Sequence, residues 1–160
     1  HTQQEDTKPY PGIYPFEKSK CWDILTPMSE KKILLVEDSL ALRKILGGRL
    51  RSAGFSVIEA GTGKEGIQLA QAEKPDMIIT DVIMYPIDGL EMAKRIRKSG
   101  TWGEKVRIVT LTNQNDSEER ARVDALHLDA YLVKADTPLD EVVKQVERIL
   151  EETKEITERT

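Results

Sequence analysis

The sequence predicts an α/β protein in which a parallel sheet is covered by helices on both faces. Two observations carry this. Short apolar runs such as residues 33–36 (Ile-Leu-Leu-Val) and 77–79 (Met-Ile-Ile) are continuous rather than alternating, as strands buried on both sides require. Between such runs lie segments with apolar residues at helical spacing, so strand and helix alternate along the chain and the crossovers are right-handed.

Each element has its own local reason. The first strand covers residues 33–36. Ser39 caps the first helix, in which Leu42, Ile45, Leu46 and Leu50 share one face and which Gly54 stops. The second strand runs over 55–60. Thr62 caps a second helix over 62–73, which Pro75-Asp76 breaks. The third strand is 77–80 and ends at Asp81. The third helix, 89–98, buries Leu90, Met92, Ala93 and Ile96. The fourth strand, 106–111, leads into a fourth helix over 117–126, and the fifth strand is 130–133. Leu139, Val142, Val143, Val146, Ile149 and Leu150 give the clearest amphipathic pattern in the chain. The charged residues 151–160 extend or fray that last helix.

The first 28 residues read differently. Four of the seven prolines and four of the eight aromatic residues fall there, which excludes regular helix and central strand. They are expected to form an extended arm or an added leader before a domain at residues 29–150, with no apolar signal sequence. The 24 basic and 28 acidic residues give a net charge of −4, so there is no global basic footprint for nucleic acid. No apolar run reaches the ~18 residues that cross a bilayer, and a cytoplasmic protein is expected. Cys21 is the only cysteine, and His1 and His127 are the only histidines. An internal disulfide, a cysteine-rich zinc site and a multi-histidine metal site are therefore excluded.

In a parallel sheet, ligands bind beyond the carboxyl ends of the strands. Here those ends carry Glu37 and Asp38, Asp81, Thr112 and Lys134. Three carboxylates held together repel one another unless cations offset them. A hard divalent cation with oxygen ligands is the natural partner, and Lys134 supplies a second positive charge suited to phosphate. A carboxylate in that setting can attack phosphorus to form an aspartyl phosphate.

The segments Leu35-Val36-Glu37-Asp38-Ser39, Thr80-Asp81-Val82-Ile83-Met84, Ile87-Asp88-Gly89-Leu90-Glu91, Val109-Thr110-Leu111-Thr112 and Ala130-Tyr131-Leu132-Val133-Lys134 resemble the receiver domain of two-component response regulators over residues 30–150. The resemblance implies a flavodoxin-like, doubly wound sheet of five strands in the order 2-1-3-4-5 with five helices. It implies phosphotransfer to Asp81 from a sensor histidine kinase or a phosphotransfer protein. Asp38, Asp81 and the Ile83 backbone carbonyl would bind Mg²⁺ or Mn²⁺ directly, with Glu37 acting through water. Thr112 and Lys134 would hold the phosphoryl oxygens, and Tyr131 would be a switch that turns inward with Thr112. Output would be contact with a downstream protein through the fourth helix, fifth strand and fifth helix, by a monomer or a phosphorylation-dependent dimer. Weak self-phosphatase activity is implied, with Ile83 and Gln114 flanking the attacking water.

Three positions depart from the family pattern. Tyr85-Pro86 places its proline one residue late. Ala135 stands where a proline, usually cis, follows the lysine, so a trans Lys134–Ala135 bond is expected. His127 replaces a helix-ending glycine and is expected at positive φ. Other readings stay open. An aspartate-nucleophile phosphohydrolase would carry a second acid two residues after Asp81, where this chain has Ile83. A receiver-like binding module without phosphotransfer would not need the full acidic set. Gly61-Thr62-Gly63-Lys64 reads as a turn capped by Thr62 rather than a phosphate loop, and Asn115-Asp116-Ser117 as a chance match to a glycosylation acceptor.

Overall fold

The computed structural model describes residues 31–158. The expected arm, residues 1–28, lies outside the described residues. The elements run β1 (Lys32–Val36), α1 (Leu40–Ser52), β2 (Ser56–Ala60), α2 (Gly63–Glu73), β3 (Met77–Asp81), α3 (Gly89–Arg97), α4 (Thr101–Lys105), β4 (Arg107–Thr112), α5 (Ser117–Ala125), β5 (Ala130–Val133) and α6 (Leu139–Glu158). The five strands pair in parallel in the order β2-β1-β3-β4-β5, as expected.

Alternate residues of each strand feed two cores. Ile33, Leu35, Met77, Ile79, Val109 and Leu111 pack with Leu46 and Leu50 of α1 and Val142 and Val146 of α6. Leu34, Val36, Ile78 and Ile108 pack on the other face with Ala70 of α2 and Met92, Ala93 and Ile96 of α3. A small cluster of Val82, Leu90 and Val123 seats α5 near the end of β3. Burying a side chain of this size contributes roughly 1.5–3 kcal/mol, so the two cores fix the sheet between its helices.

The caps follow the sequence. Ser39 Oγ accepts from the Leu42 N–H at 3.4 Å, and Thr62 Oγ1 from the Glu65 N–H at 3.1 Å. The Gly61–Lys64 segment is thus a helix start. Asp88 caps α3 and Asp116 caps α5. Gly54 ends α1 at φ 99°, and His127 has φ 53°, the left-handed conformation expected of it. The Lys134–Ala135 bond is trans; Tyr85–Pro86 is cis.

Among the described residues there are six helices rather than five. The additional one, α4, spans only five residues and opens after Gly100, with no side-chain cap. Its Trp102 indole N–H donates to the Pro75 carbonyl at 3.2 Å. That tertiary bond, with the packing of Trp102 on the second core, holds a segment too short for a periodicity signal.

Gly89 is required by closeness. A Cβ there would stand 1.9 Å from the Asp81 carbonyl oxygen, while the Gly89 N–H donates to the Val82 carbonyl at 2.8 Å. Only a residue without a side chain lets α3 start this near the end of β3.

Candidate functional site

Because every strand runs the same way, their carboxyl ends meet at one edge. Register pairs Val36 with Thr80, Asp81 with Leu111, and Thr112 with Val133. Glu37 and Asp38 follow β1, Asp81 and Thr112 end β3 and β4, and Lys134 follows β5.

Lys134 ties this edge together. Its Nζ lies 3.1 Å from Glu37 Oε2 and 3.1 Å from Asp81 Oδ2. Its backbone N–H donates to the Thr112 carbonyl at 2.7 Å. Glu37 is 1% exposed and Asp81 4%, while Asp38 is exposed. The second oxygen of Glu37 accepts from the Ser39 N–H at 3.1 Å, and Arg43 Nη1 donates to the Glu37 carbonyl at 2.7 Å. Arg43 is held in turn by Glu59 on β2 at 3.5 Å.

Carboxylate oxygens of Glu37, Asp38 and Asp81 lie within 4.8 Å of one another. Burial pushes the Glu37 carboxyl up, and the Asp81 charge adds to that push, against the Ser39 N–H and Lys134. Burial likewise raises Asp81, against the pull of the Lys134 ammonium. The same two carboxylates hold the Lys134 ammonium above its ordinary range although burial opposes them. Asp81 Oδ1 is buried and has no hydrogen-bond partner. A buried carboxylate oxygen left bare is costly. Three acids against one ammonium therefore leave a strongly negative, oxygen-rich recess that fits a hard divalent cation. Glu37, Asp38 and Asp81 have the donor chemistry to hold it.

The other expected residues are placed less simply. Thr112 is fully buried. Its hydroxyl faces Glu119 Oε2 at 2.8 Å and the Gln114 carbonyl at 3.2 Å, not the acid cluster. Tyr131 is half-buried, and its hydroxyl faces the same two acceptors, Glu119 Oε2 at 2.9 Å and the Gln114 carbonyl at 3.2 Å. The Asp116 N–H donates to the Tyr131 oxygen at 3.1 Å, so Asp116 both caps α5 and faces this cluster. Burial raises the Tyr131 phenol, and the Glu119 carboxylate adds to it. The Arg120 guanidinium stands 5.0 Å from the Tyr131 ring centre. Ile83 is 52% exposed in the loop after Asp81, beside Tyr85 at 89%. Gln114 is exposed. Ile83 carries no titratable group, so the second acid of an aspartate-nucleophile hydrolase has no counterpart here.

Sequence reasoning missed Glu119. An acid in the first turn of a helix is an ordinary N-terminal preference. Nothing in the residue type distinguishes Glu119 from Glu118 beside it.

Comparison with known proteins agrees with this geometry. The family model described as the response regulator receiver domain matches residues 33–147. The transcriptional regulatory protein PdtaR of Mycobacterium tuberculosis is 34% identical over 128 residues, 79% of this chain and 60% of that protein. The alkaline phosphatase synthesis transcriptional regulatory protein PhoP of Bacillus subtilis is 35% identical over 122 residues, 75% of this chain and 48% of that protein. The chain thus spans about half the length of the curated relatives it matches. Among solved structures, the chemotaxis protein CheY4 of Vibrio cholerae aligns with a TM-score of 0.69 at 30% identity, covering 74% of this chain and 97% of that one. No described helix is long and apolar enough to cross a membrane.

Proposed function

Given that the chain belongs to the response regulator receiver domains of two-component systems, we propose that Asp81 accepts a phosphoryl group from a sensor histidine kinase or phosphotransfer protein and thereby changes the contacts of the domain with a downstream protein. The observation that carries this is Asp81 itself, a buried carboxylate with one oxygen on Lys134 and the other bare, beside two further acids. One Asp81 oxygen attacks phosphorus; the new P–O bond forms as the bond to the donor breaks, and the donor leaves with that electron pair. Lys134 shifts toward the charge on the transferred oxygens, and Thr112 can donate its hydroxyl proton to one of them once it is free to do so. Glu37, Asp38 and Asp81, with the Ile83 backbone carbonyl, would hold Mg²⁺ or Mn²⁺. Such an ion neutralises developing charge on the phosphoryl oxygens.

Ile83, half-exposed in the loop after Asp81, has no polar side-chain atom with which to orient an attacking water, so the self-hydrolysis of this reading is slow. The face formed by α5, β5 and α6 is the output surface, since Thr112 and Tyr131 are linked there through α5.

Incubation with acetyl phosphate and Mg²⁺, followed by intact-mass measurement, tests the reading. A single added phosphoryl group is expected in the parent and none in Asp81→Asn. Full labelling of the variant would move the acceptor elsewhere.

A further inference from the structure

Glu119 stands outside the acid cluster, yet it occupies the place where two site hydroxyls meet. Thr112 has a single hydroxyl proton. Its two neighbours, Glu119 Oε2 at 2.8 Å and the Gln114 carbonyl at 3.2 Å, are both acceptors, so that proton serves one of them at a time. The carboxylate is nearer and charged, and a charged acceptor makes the stronger bond. While Thr112 donates to Glu119, it has no proton to offer to an oxygen on Asp81. Thr112 is fully buried at the end of β4 and Glu119 is partly buried in α5, so little water competes for the bond.

We infer that Glu119 is a positioning residue that competes with the phosphoryl group for the Thr112 hydroxyl, so that occupying Asp81 requires breaking the Thr112–Glu119 bond. This rests on the reading of Asp81 as the phospho-acceptor and adds to it a residue that sets how readily the acceptor is filled. The exchange does not strand the Glu119 carboxylate. When Thr112 departs, Tyr131 still donates to Glu119 at 2.9 Å, and the Asp116 N–H still donates to the Tyr131 oxygen at 3.1 Å. The loss of one bond is therefore felt by α5, which carries Glu119 and whose cap is Asp116. A hydrogen bond to a charged group contributes more than one between neutral groups. Without Glu119 the Gln114 carbonyl remains as a weaker substitute, so the gain on removing the carboxylate is partial.

The test uses beryllium fluoride with Mg²⁺, a non-covalent mimic of a phosphoryl group, titrated into the whole chain by calorimetry. The parent should bind it and Asp81→Asn should not. Glu119→Ala should bind it about tenfold more tightly, the factor that corresponds to about 1.4 kcal/mol. Glu119→Gln keeps the shape and a neutral acceptor, guards against loss of folding, and should fall between. Thr112→Val has no proton to compete for, so its affinity should be the same with and without Glu119→Ala in the same chain. Tightening by Glu119→Ala that persists in the Thr112→Val background would mean simple charge repulsion and would overturn the inference. So would no tightening at all in both Glu119 variants while the parent binds. A parent that binds nothing would instead remove the phospho-acceptor reading on which it stands.

Discussion

Lys134 sits 3.1 Å from each of two carboxylates that are almost wholly buried, and its own side chain is 21% exposed. Removing one partner of a buried pair strands the charges that remain. Lys134→Ala should therefore lower the stability of the metal-free protein by about 3 kcal/mol near neutral pH, read by urea unfolding. The loss should shrink in acid. Glu37 and Asp81 have folded-state pKa values raised above the unfolded ones, so protonation favours the folded state. That contribution is complete below their ordinary carboxylate range and disappears as pH rises through the raised values. The variant, lacking the ammonium, should show the steeper dependence; a flat difference across pH 3 to 7 would contradict it. At the neighbouring loop, Ile83 is half-exposed and cannot orient a water by hydrogen bonding. Ile83→Asn should shorten the lifetime of the phosphorylated form by at least tenfold, measured as loss of the added mass; equal lifetimes would make Ile83 a bystander. The residues of this cluster were legible in the sequence because each is an ionisable type directly after an apolar strand run. The direction of the Thr112 hydroxyl was not legible, because it depends on where α5 lays Glu119.

At the scale of elements, strands and long helices announced themselves. Continuous apolar runs and caps such as Ser39 and Thr62 placed β1, α1 and α2 within a residue or two of their observed limits. The short α4 escaped, since five residues cannot show a helical period and its stabilising bond runs from Trp102 to Pro75, 27 residues away. The junction of β3 and α3 offers a sharper test of element packing. A methyl group at Gly89 would strike the Asp81 backbone, which cannot swing aside as a flexible side chain can. Gly89→Ala should force α3 away, lower stability by about 1–3 kcal/mol and weaken Mg²⁺ binding together with it. A variant as stable as the parent, by urea midpoint, would show that the junction yields.

For the molecule as a whole, a cation bound only by the native state raises stability by RT ln(1 + [L]/Kd), about 2.7 kcal/mol at a hundred times Kd. Thermal unfolding should shift upward with Mg²⁺, and Asp38→Ala should abolish the shift while leaving the metal-free midpoint close to that of the parent, because Asp38 is exposed and outside both cores. The expected arm holds no residue of the strand-end cluster, so removing residues 1–27 should leave the rate of labelling within a factor of ten. The strand order itself was readable only through the resemblance of the motifs. Alternation of strand and helix allows several orders of a parallel sheet, and local residue patterns do not choose among them.

Glu37 and Lys134 are bonded across 97 residues of chain, and Asp81 and Lys134 across 53. A ribosome makes the acids first and the ammonium last. Until β5 is released and docks on β4, the nascent chain holds its carboxylates without their ammonium, and the long loop that must close to bring Lys134 back makes this a slow contact to form. A chain halted before residue 130 would own every acid of the recess and lack the one ammonium that is bonded to two of them. The complete recess is thus assembled only once β5 has docked on β4 and carried Lys134 to the acids.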